Sequence, residues 1–189
     1  MYDNAGADMK HIEVELETVE QLFNSMDPSP FVARDLDGDA EEFIVNWASE
    51  YQKDEPVTLC IYLANWPSRD PSQMLAEAVH NFFDYRRKLS DREFRLLMQQ
   101  GRTSLLIGLL FLVSCLFVVQ AVLLPMKGPW PAILRESLTI AGWVAMWRPM
   151  QIFLYDWWPL RKRGQVYAKL SRMPVQVLRK AQSYRVVPQ

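Results

Sequence analysis

The stretch from Thr103 to Met126, TSLLIGLLFLVSCLFVVQAVLLPM, carries no charge across 24 positions and is bracketed by Arg102 and Lys127. At about 1.5 Å rise per helical residue, about 20 apolar residues match a hydrocarbon core of roughly 30 Å, and a helix satisfies its own backbone hydrogen bonds in lipid. The run therefore predicts a transmembrane helix over about 103–124. It follows a hundred mostly polar residues, so it does not read as a cleaved signal peptide. Those residues are enough for one small soluble domain, 1–101, and no more.

The charges are sorted along the chain. Residues 1–70 carry four Lys/Arg against sixteen Asp/Glu, residues 71–102 six against four, residues 103–159 three against two, and residues 160–189 eight against none. The net charge of −1 thus hides an acidic head and a basic tail, which attract each other or hold the tail against anionic headgroups.

Arg86, Arg87, Lys88, Arg92, Arg95 and Arg102 precede the apolar run, and Arg161, Lys162 and Arg163 lie beyond residue 160. The short connection between the two apolar stretches has only Lys127 and Arg135. The positive-inside rule then predicts that both termini are cytoplasmic, which requires a second span. Leu138 to Trp158, LTIAGWVAMWRPMQIFLYDWW, is the stretch available for it, within a hairpin of residues 102–159. Gly128, Pro129 and Pro131 form the turn between spans. Pro149 should kink the second helix, and Trp157 and Trp158 before the Arg161, Lys162, Arg163 cluster read as an interfacial aromatic belt that meets lipid headgroups.

Arg148 falls near the centre of this second stretch, and a charge at that depth needs a partner or a wet cavity. Counted inward from the cytoplasmic ends, Arg148 is ten residues from Trp158 and Ser114 eleven from Thr103, which predicts similar depth. One reading makes Arg148 a site for an anionic lipid, substrate or partner carboxylate, with Asp156, Ser114, Gln120 and Glu136 as intramembrane polar neighbours. The other lets the arginine snorkel toward the cytoplasm, eased by the kink.

In the head, HIEVELE (His11 to Glu17) alternates apolar and acidic residues as a half-buried strand does. A short helix follows from Val19 to Asn24 and is stopped by Asp27-Pro28-Ser29-Pro30-Phe31. Asp39 and Glu42 read as a capping box for a helix over 40–53, with Phe43, Ile44, Trp47 and Tyr51 on its apolar face. VTLCIYL (Val57 to Leu63) is a more buried strand. Asp70 and Pro71 start a second helix through Leu75, Val79, Phe82, Phe83 and Arg86. Ser90 and Glu93 read as the start of a third, which passes Phe94, Leu97 and Met98 into the first span, with Gly101 a weak hinge. Two strands are too few for a stable sheet. The tail, 160–189, offers an interfacial helix at 160–171 and then a third strand in MPVQVL (Met173 to Leu178).

Asp35-Leu36-Asp37-Gly38-Asp39 looks like a calcium loop, but Ala40 and Asn46 stand where an EF-hand needs glycine and a bidentate glutamate. These carboxylates read as helix caps. No phosphate loop, nucleophile elbow or zinc spacing is present in the sequence, His11 and His80 are isolated, and Cys60 and Cys115 read as small core residues. No cofactor, no metal and no catalytic residue is predicted.

Three runs, DPSPF (27–31), RDLDGDAEEFIVNWA (34–48) and GWVAMWRPMQIFLYDWWPLRKR (142–163), resemble a group of uncharacterised small bacterial inner-membrane proteins with two spans. The resemblance implies a bacterial cytoplasmic membrane and no assigned activity, and it brings no functional residues. The chain therefore reads as an α+β head of two or three strands with packed helices on a two-helix transmembrane hairpin. It is expected to be non-enzymatic, with a partner-binding, regulatory or scaffold role. The implied partners are membrane lipids with anionic headgroups and a protein partner or a second copy, and no nucleic acid. The alternative is a lipid- or anion-handling protein that uses Arg148.

Overall fold

The computed structural model describes residues 10–52 and 55–180. The elements in chain order are β1 (Lys10–Leu16), α1 (Gly38–Glu50), β2 (Val57–Leu63), α2 (Ser72–Val118), α3 (Pro129–Ala145), α4 (Trp147–Gln151), α5 (Trp157–Leu170) and β3 (Val175–Arg179). Short 3₁₀ turns occupy Val19–Leu22 and Phe31–Ala33, and π-helical turns occupy Val119–Leu123 and Ile152–Asp156. The chain divides into two compact units: a head, Met1–Leu89 with Arg163–Gln189, and a helical unit, Ser90–Lys162.

The head is mixed α+β, built on a three-stranded sheet in the order β1-β2-β3. Both pairs are parallel: Ile12 lies opposite Leu59, and Leu59 opposite Val175. Parallel neighbours need long crossovers, which α1 provides between β1 and β2 and the run from α2 to α5 provides between β2 and β3. The mostly apolar strand β2 takes the centre and is buried along nearly its whole length, while β1 and β3 alternate and form the edges. One sheet face, with Ile12, Val14, Leu59, Ile61, Leu63, Val175 and Val177, joins a core completed by Leu22, Ile44, Leu75, Val79, Phe83 and Leu170. The third strand expected in the tail forms. The helix expected at 160–171 forms as α5 and buries Tyr167 and Leu170 in that core.

Two predicted helix starts need correction. Helix α1 is capped by Asp37, whose Oδ1 accepts the Asp39 amide at 3.0 Å, so it begins two residues earlier than the Asp39/Glu42 box implied. Its buried residues are Ile44 and Ala48, whereas Phe43 and Trp47, one position before each, lie about 100° round the helix and stay exposed. Asp70 caps α2 as expected, accepting from the amide and the hydroxyl of Ser72. Ser90 starts nothing: α2 runs unbroken from Ser72 to Val118, and the Ser90 hydroxyl donates to the Leu160 carbonyl at 3.3 Å.

In the helical unit, the Ser90–Val118 part of α2 packs antiparallel to the returning helices. A Cβ on Gly101 would lie 2.9 Å from Ile152 Cγ2, one on Gly108 2.9 Å from the Ala145 carbonyl oxygen, and one on Gly142 2.9 Å from Leu112 Cδ1. The glycines thus mark a seam of close approach, and Gly101 acts there rather than as a hinge. Pro149 supplies no amide for the Ala145 carbonyl, four residues before it, and that carbonyl is the one turned toward Gly108. The interruption comes at Met146, whose amide donates to Trp143 at 3.0 Å, so Leu138 to Trp158 is several helical pieces and not one helix.

Candidate functional site

The stretch Ser72–Leu123 is long and apolar enough to cross a membrane, and only 17% of its most apolar window is buried. Leu105, Leu106, Ile107, Leu109, Leu110, Phe111 and Phe117 are all exposed, as are Ile140, Trp143, Val144 and Trp147 on the returning helices. Folding has buried only the narrow seam, which includes Cys115, Val119, Gly142 and Ile152.

Arg148 meets Asp156, the Nη1 to Oδ2 distance being 3.5 Å. The guanidinium reaches toward the C-terminal end of its own helix, against the usual N-terminal tilt of helical side chains, and its side chain is 53% exposed. The seam gives its level. Gly101 faces Ile152 and Gly108 faces Ala145, so Arg148 stands beside about residue 105, one turn from Arg102 (~4.5 Å along the axis), and not beside Ser114. Counting from the sequence ends missed this because α5 continues past Trp158 and the ends are not level. The other predicted neighbours are not gathered at Arg148. The Ser114 hydroxyl donates to the Leu110 carbonyl, Gln120 is exposed in the π-helical turn, and Glu136 is exposed on α3.

At the start of α5, Trp157 Nε1 donates to the Phe153 carbonyl at 2.8 Å, and its ring lies 5.7 Å from that of Trp158. The Arg161 guanidinium sits 5.8 Å over the Trp157 ring, and Arg161, Lys162 and Arg163 are exposed. Aromatic rings and positive charge thus lie side by side at the start of α5.

Three features stand out in the head. Glu41 accepts from Arg86 through both carboxylate oxygens and from the Tyr167 hydroxyl at 3.3 Å, tying α1, α2 and α5 together. The Glu41 hydrogen bond raises the Arg86 pKa, and burial raises that of Tyr167, so both keep their protons at neutral pH. Next, an open concavity of about 410 Å³ lies past the carboxyl ends of β1 and β2, lined by Val19, Phe31, Arg69, Met74 and Glu77 among others. Finally, Phe43 and Trp47 form an exposed aromatic pair on α1, 42% and 43% accessible with ring centroids 6.2 Å apart. The sequence reading put these two aromatics on one apolar face with Ile44 and Tyr51; the core takes Ile44 and Ala48, with Tyr51 packed against it, and leaves the two rings at its outer margin.

Cys60 is buried against His11 Nδ1 at 3.5 Å, and burial raises its pKa, which makes a poor nucleophile. Asp35, Asp37 and Asp39 do not converge, and among the described residues no group of three or more His, Cys, Asp or Glu is placed to hold a metal ion. Comparison with protein-family models, with curated proteins and with solved structures returns no match.

Proposed function

We propose that this chain is an integral membrane protein in which a two-span helical hairpin carries a cytoplasmic head that binds a protein partner or serves as a scaffold. One observation carries the reading: both arms of the helical unit present large apolar side chains outward over the whole length of the uncharged run. Such a surface is costly in water and at no disadvantage in hydrocarbon. Arg148 and Glu136 bracket an uncharged stretch of the returning arm, 137–147, opposite the uncharged arm of α2, with both charges near enough to the ends to reach headgroups. The distribution of Lys and Arg supports termini on the cytoplasmic side, and the resemblance in residues 142–163 supports a bacterial inner membrane.

The alternative, lipid or anion handling through Arg148, is less well supported, because its pairing with Asp156 and its level near Arg102 suit a snorkelling arginine. The head has an exposed aromatic pair for docking, which favours partner binding over catalysis. The test is topological. The chain should stay in the membrane pellet after an alkaline carbonate wash, and a reporter fused after Gln189 should be active only when it needs the cytoplasm. Release by carbonate, or a reporter active only in the periplasm, would overturn the reading.

A further inference from the structure

Beside the glycine seam, α2 carries a second feature that the hairpin packing does not use. Phe94, Arg95, Met98, Gln99 and Arg102 line an open groove of about 450 Å³. Arg95, Gln99 and Arg102 recur at four- and three-residue spacing, so they lie one above another on a single helix face, with Phe94 and Met98 along the side nearer the seam. Some basic residues are neutralised by a carboxylate: Arg86 by Glu41, Arg87 and Lys88 by Asp84, Arg148 by Asp156 and Lys180 by Glu15. Arg95 and Arg102 are not paired in this way: among the described residues no carboxylate lies within ion-pair distance of either. The Arg95 Nε donates to the Asp91 carbonyl at 3.3 Å, and that bond leaves its two terminal nitrogens for a ligand.

Arg102 is the last charge before the uncharged run, and the exposed Leu105, Leu106 and Leu109 continue the same face. Gln99 lies about 4.5 Å and Arg95 about 10.5 Å outward from Arg102 along the axis, a span that Arg side chains can reach across within a headgroup layer. Two unpaired guanidiniums above an apolar helix face match one kind of ligand: a phosphodiester carried on acyl chains. Arginine suits it because the planar fork pairs with phosphate oxygens bidentately.

We propose that the Phe94–Arg102 groove binds the phosphate of an anionic phospholipid through Arg95, Gln99 and Arg102, with the acyl chains lying along Leu105, Leu106 and Leu109. The site rests on the membrane reading above and is separate from the Trp157, Trp158 and Arg161 face of α5.

The full-length protein in mild detergent, titrated with phosphatidylglycerol or phosphatidylcholine and read by native mass spectrometry, tests it. Phosphatidylglycerol should bind at least tenfold more tightly than phosphatidylcholine, and Arg95→Gln/Arg102→Gln should remove most of that preference. Arg95→Lys/Arg102→Lys, which keeps the charge and loses the fork, should fall between. If the double glutamine variant does not fold, each single variant should weaken phosphatidylglycerol binding several-fold. An unchanged preference in the double variant, or in both single variants, overturns the site. So does full displacement of the lipid by millimolar inorganic phosphate, which would mark a free-anion site. Failure of the membrane reading itself shows separately, as release of the unmutated protein by carbonate.

Discussion

Gly108 shows how one position couples two helices. Its missing Cβ leaves room for the Ala145 carbonyl, the group that Pro149 deprives of a helical donor, so the proline and the glycine are two halves of one contact. Gly108→Ala places a methyl 2.9 Å from a backbone oxygen that cannot swing away, and should destabilise the helical unit by about 1–3 kcal/mol, read as a lower melting temperature in detergent. Gly142→Ala meets the tip of Leu112 and should cost less. In the head, Asp27 has a comparable bridging role: its carboxylate accepts the Ser29 amide at 2.9 Å and the Asp35 amide at 2.8 Å. These bonds hold its pKa below the usual 3.8. A depressed folded-state pKa means that this stabilisation is complete above pH 3.8 and fades as the pH falls through the lower folded value. Asp27→Asn should therefore weaken the wild-type margin at pH 7 and flatten the stability profile in that acidic window, as followed by unfolding at a series of pH values.

Helices α1, α2 and α5 of the head meet at the Glu41 carboxylate. Glu41→Gln keeps the shape and removes the charge opposite Arg86, and should cost about 1.5–3 kcal/mol in urea unfolding of the full chain. Phe43→Ser/Trp47→Ser, on the opposite side of α1, should leave stability within about 0.5 kcal/mol, since both rings are already exposed. The two arms of the helical unit can be tested by chemistry at their contact. A Cβ on residue 142 would lie 3.4 Å from that of Cys115, at the short edge of disulfide range, so Gly142→Cys in a Cys60→Ala background should close an intramolecular disulfide on mild oxidation. Only intermolecular dimers on a non-reducing gel would contradict the antiparallel pairing. The helix positions themselves were legible in the sequence, because Asp70-Pro71 and the apolar run signal them locally. The start of α1 and the continuity through Ser90 were not, because a capping box is also a good helix interior and packing decides between the two.

At the scale of the whole molecule, the proposed role predicts that a photo-crosslinking residue at Trp47 gives a discrete adduct in intact membranes, and that one at the buried Ile44 gives none. Adducts at neither position would count against docking through α1. The sequence by itself determined the uncharged membrane-length run, the sorting of charge along the chain and the strand character of β1, β2 and β3, because each is written in the composition and period of a short segment. The parallel sheet order, the level of Arg148 against α2 and the outward turn of Phe43 and Trp47 were decided only by the tertiary structure. Each depends on which surfaces meet between segments far apart in the chain, and such meetings are governed by close packing at Gly101, Gly108 and Gly142 and around Ile44, where no local pattern records the partner.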